Sequence, residues 1–513
     1  MVVDPPAPLA LRLPTKALLF ILMAVWATRD ARAEAWPAEV EAALAEAGKN
    51  RSELQQVLRH FQCGSDRQKY DAACFLIRNM PEHAYRVFHL KDPKGATVPF
   101  DALEYPDFAQ ARRALAQLEA KYGELDFHPD TVIRDVETVK ANYLIGEIDL
   151  AFRIWREKPW ARSLSFDAFC EYVLPYRAGH EPVETWRAAC EIPTGKIVAQ
   201  LKDPSDSREA AAAVLKETKH RMDFSELYYL HPTDQGFAQM CRNRVGRCGD
   251  MSNLQVYIYR ANAIAVAGDY TPFWATRDNN HGWEVLLDKD GRGSAGLLNR
   301  AAKIYRRQFS SNPESLACQV KDLEDPPPAL RSRHFGDVTQ QYIRTTDVRV
   351  PLIFPPPRPT AVSYICVFNG GEWRPLHWAR ITNGHAVFTR MGREIVYLPA
   401  YYDKNHVVAA APPFILNPKG RMIQLAVDPG DLARLSLKGE KLTPSIKKVA
   451  GSERSELYLW DRGWQRLGEV PDGRQGQEVF ARLPADRLYW ATSAANRETA
   501  RIFTVEAGKQ RFW

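Results

Sequence analysis

Apolar positions in the first part of the chain recur at three- and four-residue intervals. In "RSELQQVLRHF" Leu54, Val57, Leu58 and Phe61 fall on one face, and "DAACFLIRNM" continues the pattern. The same spacing predicts helices near 111–122, 131–155, 166–174 and 207–220, so 34–220 reads as a helical region. Just after Asp250 the rhythm changes. Met251, Leu254, Ile258 and Ala261 make one helix face that ends near Asn262. Then "AIAVAGDY" and "HGWEVLLD" read as strands, separated by the polar loop "TPFWATRDNN". Proline clusters in "DPPPAL" and "FPPPRPT" interrupt helices and stiffen connections, which places a domain boundary around 325–360. "DVTQQYIRTTDVRV" between them reads as one or two strands. From there to Trp513 short strand-like runs with turn signals dominate, and two β modules split near 428–435 fit them.

At 513 residues the chain is too long for one ordinary core. The expected division is a signal segment at 1–33, a helical region at 34–220, a core at 221–325, a β domain at 337–428 and a second at 429–513. The signal is read from Arg12 and Lys16 ahead of the apolar run "ALLFILMAVWA", with "ARA" as a small-x-small cleavage site. That run is too short to span a bilayer, and no other stretch approaches the ~20 apolar residues a membrane helix needs. An exported protein without a transmembrane segment, periplasmic or extracellular, is the expectation. The net charge of +7 comes from Lys and Arg interleaved with Asp and Glu, a solvated surface that argues against a nucleic-acid partner. Eight cysteines are too sparse for a disulfide scaffold, and their spacing resembles no zinc site.

One cysteine stands apart. Cys248, in "RVGRCGDMSNLQVYIYRA", sits where a helix begins, and a helix N-terminus stabilises a thiolate through its unpaired N–H groups and dipole. Gly246 and Gly249 allow close approach of backbone and substrate, and the Cys248 N–H is placed to serve an oxyanion hole. Among 12 histidines His281 is the best partner, because it starts a strand just after a polar loop. Trp283, two residues on, shares its strand face and is placed to cover the imidazole. Asp269 and Trp274 bracket "DYTPFW", the expected wall of the cleft, as turn and packing residues or as substrate contacts. Asp250 reads as a first-turn acid that favours the helix dipole. Arg247 reads as an exposed ion-pair partner or a substrate contact, and a Cys241–Cys248 disulfide would silence the site. Trp373, Trp378, Trp460 and Trp464 suit strand packing, with a sugar or peptide platform as the alternative.

"GRCGDMSNLQVYIYRANAIAVAGDYTPFW" followed by "NNHGWEVLLDKDG" resembles the transglutaminase-like superfamily, in which a G-x-C helix start, an R-A-x-x-I segment and an H-x-W strand follow in that order. The core of the likeness covers 234–305. "FLIRNMP", "FCEYVLPYR" and "GKQRFW" also resemble a subgroup of large exported bacterial members. The resemblance implies an α+β fold: a papain-like core, preceded by helices and followed by β-sandwich-like domains. It implies Cys248 as nucleophile and His281 as general base and acid. The family usually supplies an aspartate on the next strand, often as W-x-x-x-D-P, and this sequence departs from that. Asp288 and Asp290 look like turn residues, which leaves Asn299 as the third catalytic candidate; an asparagine orients an imidazole but stabilises its cation less than a carboxylate.

The expected activity is hydrolysis of an amide bond in a peptide, protein or glycopeptide through a Cys248 thioester, with Trp274 and Trp283 as substrate-binding candidates. Acyl transfer to a lysine amine, or a non-catalytic peptide- or glycan-binding role, are the alternatives. No cofactor and no metal is implied, since a thiol and an imidazole suffice and no phosphate loop or EF-hand loop occurs.

Overall fold

The computed structural model describes residues 36–218, 221–296, 300–320, 323–425, 432–435, 455–470, 480–484, 487–492, 500–506 and 509–513. The signal segment and Asn299 lie outside the described residues. The fold is mixed helix and sheet, α+β, with a large antiparallel sheet in its C-terminal half.

Helices Ala38–Glu46, Arg51–Gln62, Arg67–Asn79 and Ala141–Glu157 pack together at the N-terminal end. The face of Leu54, Val57, Leu58 and Phe61 is buried, as their spacing requires. Helix Phe108–Tyr122 starts where the Asp107 carboxylate accepts the Gln110 N–H at 2.8 Å and ends at Gly123, whose φ of 89° suits a residue without Cβ.

The helical expectation for 131–155 fails in its first part. Asp126–Arg134 is a strand, paired antiparallel with Ala84–Lys91, and the helix begins only at Ala141. Thr131, Val132 and Ile133 are a β-branched run that loses rotamer freedom in a helix and fits a pleated strand. The true helical period starts with Leu144, Ile148, Ala151 and Phe152, all buried. The helix expected over 207–220 runs Ser207–Glu217, with the Asp206 carboxylate accepting from Arg208 and Glu209.

The middle of the chain is a four-stranded antiparallel sheet in the order His281–Leu286, Val266–Thr271, Tyr305–Arg307, Phe335–Asp337. Helix Cys248–Arg260 packs on its first two strands. The two strands and the helix fall where the apolar pattern put them.

Residues 345–424 form the eight-stranded antiparallel sheet, and the described residues of 455–512 include a five-stranded one. The two expected β modules share one apolar cluster: Cys366, Phe368, Trp373 and Leu398 from the first meet Trp490, Ile502 and Trp513 from the second. Three of the four singled-out tryptophans belong to this junction. Trp373 lies 5.5 Å from Trp460, and Trp464 lies 5.4 Å from Trp490, all edge-on or tilted. Trp378 packs elsewhere, with Tyr305, Phe335 and Tyr364.

These β regions also hold the loop that precedes His281. The Asn369 side-chain amide donates to the carbonyls of Trp274, Arg277 and Asn279 at 3.0, 3.1 and 3.0 Å. Arg501 donates to the Ala275 carbonyl at 2.6 Å and to Asp278 at 3.2 Å. A polar loop of this kind needs its backbone groups satisfied when buried, and here the downstream sheets satisfy them. Among the described residues no helix is long and apolar enough to cross a membrane.

Candidate functional site

Cys248 is the first residue of a 13-residue helix. The start is fixed by Asp250, which is buried and accepts the backbone N–H groups of Arg247 at 3.0 Å and Gln235 at 3.2 Å. Burial pushes the Asp250 carboxyl up, against the opposing pull of the Arg247 guanidinium. Arg247 also bonds the Pro232 carbonyl at 2.9 Å and pairs with Asp234. It is therefore part of the helix-start scaffold. Gly246 is closely packed: a Cβ there would lie 2.9 Å from Asp250 Cβ, besides meeting the flexible ends of Met222 and Gln235. Above Gly249 the site is open, since a Cβ would meet only Arg247 Nε at 4.0 Å.

The Cys248 thiol is half-buried and free, and Cys241 is exposed and free, so no disulfide silences the position. The Tyr229 phenol lies close enough to feel it: burial raises the Tyr229 pKa first, and the Cys248 charge raises it further while Arg247 and Arg277 oppose.

His281 opens its strand opposite Thr271. Its ring centroid lies 5.4 Å from that of Trp283 and 6.1 Å from that of Trp274, and the Arg277 guanidinium sits 4.6 Å from the Trp274 ring centroid. Burial, and then Arg277, hold the imidazole below its usual pKa, which favours its neutral, proton-accepting form.

The structure brings His281, Trp274 and Trp283 together as one aromatic group. Trp283 is half-buried, but Trp274 is only 1% exposed and belongs to the wall, where it supports the imidazole instead of presenting a surface to substrate. Asp269 is not a loop residue. It is buried on strand Val266–Thr271 opposite Trp283, takes both Nε and Nη2 of Arg306 at 2.8 Å, and accepts the Tyr342 hydroxyl at 2.7 Å. Tyr342 in turn accepts the Trp283 indole N–H at 3.1 Å. Asp288 is a turn residue as expected, accepting the backbone N–H groups of Asp290 and Arg292 at 2.9 Å.

Cys248 and His281 are not hydrogen-bonded to each other. Strand alternation explains the separation. His281 and Trp283 face the Tyr342 side of the sheet, whereas Glu284 points to the helix side, where it takes a hydrogen bond from Ser252. Charges at Cys248 and Arg277 act on Tyr229 in opposite senses, and Arg277 also lowers the His281 pKa. Among the described residues no side chain hydrogen-bonds the imidazole. Asn299 lies outside them; Ala301, two residues on, bridges Trp274. Among the described residues no group of three His, Cys, Asp or Glu is placed to hold a metal ion.

The sequence pattern did not single out Tyr229, Asp234, Arg277, Asn369 or Arg501. Arg277 carried a signal, as a cation in the polar loop four residues before the histidine. Asn369 and Arg501 carried none, because they act from other sheets. Compared with models of known protein families, with curated proteins and with solved structures, the chain matches none.

Proposed function

We propose that this chain is an exported thiol enzyme of transglutaminase-like type, with a papain-like core, that hydrolyses an amide bond in a peptide, protein or glycopeptide. One observation carries the reading: a free, half-buried thiol stands at the first position of a 13-residue helix, beside an open glycine and close enough to Tyr229 to add to the rise that burial gives its pKa.

In this reading His281 takes the thiol proton as Cys248 Sγ bonds to the carbonyl carbon. The N–H groups of the first helical turn hold the oxyanion. The C–N bond breaks as the imidazolium gives its proton to the departing amine. Water then attacks the thioester, with His281 accepting its proton, and releases the acid and the thiol. The step needs the imidazole to swing toward the helix start on substrate binding, as catalytic contacts that are long in an empty site often tighten with substrate.

A second reading, a peptide- or glycan-binding member without turnover, draws on the missing Cys248–His281 hydrogen bond and on Asp269 being fully engaged by Arg306 and Tyr342. Acid quenching of the protein with glutamine-containing and glycosylated peptides, followed by mass analysis, separates these. Hydrolysis predicts an acyl adduct on Cys248 that decays to free acid, and acyl transfer predicts capture by an added primary amine. Tight binding without any adduct favours the second reading.

A further inference from the structure

A cavity of about 1430 Å³ opens between the N-terminal helices, strand Ala84–Lys91, the core sheet and the loop at 328–334. Its lining holds eight arginines and three glutamates, with no lysine or aspartate, and it includes neither Cys248 nor His281. Each glutamate is already engaged by a wall arginine: Glu39 by Arg78 at 3.9 Å, Glu46 by Arg134 at 2.5 Å and Glu82 by Arg333 at 2.6 Å. Arg177 is neutralised from behind by buried Asp135 at 2.5 Å.

Three of the remaining four arginines feel carboxylates at longer range: Arg307 lowers the Asp234 pKa, Arg86 pulls that of Glu82 down against burial, and Glu171 and Glu181 act on Arg260. Arg307 hydrogen-bonds the Asn253 side-chain oxygen at 3.5 Å and lies 5.9 Å from the Tyr270 ring centroid, and Arg331 hydrogen-bonds the Pro326 carbonyl at 2.8 Å. Arg260 in the floor is held by backbone carbonyls, and burial together with Arg187 lowers its pKa to about 10. Among the described residues none of Arg86, Arg260, Arg307 and Arg331 has a carboxylate at ion-pair distance. The lining histidines add no charge, because burial holds His83 and His180 below their usual range and pushes His334 down to about 4.

Several observations narrow the ligand. The volume exceeds the ~300–1,000 Å³ of a pocket for one small molecule. The unpaired guanidinium groups sit on separate elements, which suits a chain carrying several anionic groups. Guanidinium forks match carboxylates in two-bond geometry, as Arg177 does here with both oxygens of Asp135. Aromatic rings to stack on sugars are scarce: Phe309 is covered by His83 at 4.2 Å, and Tyr270 already has Tyr305 at 5.9 Å and the Arg307 guanidinium at 5.9 Å. Gly179 is tightly packed in the lining: a Cβ there would sit 2.9 Å from Arg307 Nη1 and 3.1 Å from Glu181 Oε2.

We propose that this cavity binds an acidic peptide segment, with its Asp or Glu side chains paired to Arg86, Arg307 and Arg331. The site does not depend on thiol chemistry, although its wall and the Cys248 helix share Asp234, which accepts the His180 N–H at 3.2 Å and holds Arg247.

The test is fluorescence anisotropy of labelled hexaglutamate and hexaglutamine with the full-length protein, its Arg307→Gln/Arg331→Gln variant and, should that variant lose its circular-dichroism melt, Arg86→Gln alone. Binding of hexaglutamate but not hexaglutamine, weakened at least about tenfold in the variant and by added salt, is the expected result. Equal binding of the two peptides, or an unchanged variant, overturns the proposal. So does displacement of hexaglutamate by tripolyphosphate or a sulfated oligosaccharide at concentrations far below those at which unlabelled hexaglutamate competes. Because turnover is not read, an inactive thiol leaves this outcome intact.

Discussion

Under the proposed thiol-enzyme reading, replacing Cys248 with alanine is expected to remove amide hydrolysis down to the background rate, a loss of at least about 10³-fold in kcat/KM, while the melting temperature stays close to that of the wild type. The side chain is only half-buried and makes no hydrogen bond, so little stability depends on it. The wild-type pH profile carries the complementary signature. His281 must be neutral to accept the thiol proton, and burial together with Arg277 holds its pKa below 6.5. Activity therefore falls on the acid side as the imidazole protonates, at a lower pH than for an unburied imidazole. Arg277→Met removes one of the two causes and moves that acid limb upward. A Cys248→Ala protein that keeps its hydrolysis, or an acid limb unmoved by Arg277→Met, contradicts the assigned roles.

The largest structural effect is expected at Asp269. Its carboxylate neutralises Arg306, which is 2% exposed, through two bonds of 2.8 Å, and accepts from Tyr342. Asp269→Ala leaves a guanidinium buried without a counter-charge, which costs about 3–5 kcal/mol. It also releases Tyr342 and with it the Trp283 indole, so the aromatic group around His281 loosens. Urea unfolding measures the first effect as a lower midpoint at unchanged slope. Asp269→Asn keeps one acceptor but loses the charge, so it falls between wild type and alanine. A stability loss within about 0.5 kcal/mol for Asp269→Ala would mean that the ion pair does not hold this sheet together.

How much of this was readable in the chain depends on how local the cause is. The Cys248 helix and the strands Val266–Thr271 and His281–Leu286 announce themselves, because their apolar spacing is set by burial against a single neighbouring layer. The hairpin of Ala84–Lys91 with Asp126–Arg134 was hidden inside a helical region, since its two halves lie far apart in sequence and much of Asp126–Arg134 is exposed, leaving no alternation to detect. The pairing of Trp283 with His281 followed from a two-residue step along a strand. Asp269 was legible as a residue but not as a partner of Arg306, because that ion pair is made across strands and appears in no local motif. The clamp of Asn369 and Arg501 on the loop before His281 reaches across sheets and leaves no trace in spacing. The arginine cavity was equally invisible: its basic residues are interleaved with acids along the chain, and only folding sorts the paired from the unpaired.

The most direct measurement of the central claim is the rate at which iodoacetamide alkylates each cysteine at neutral pH, followed by peptide mass in wild type and in His281→Ala. Cys63 and Cys241 are exposed and free, so they serve as internal references. An activated Cys248 reacts at least about tenfold faster than either and slows in His281→Ala. A Cys248 that reacts no faster than Cys63 and Cys241, and is indifferent to His281, contradicts the account of this site as a thiol enzyme and leaves the binding role in its place.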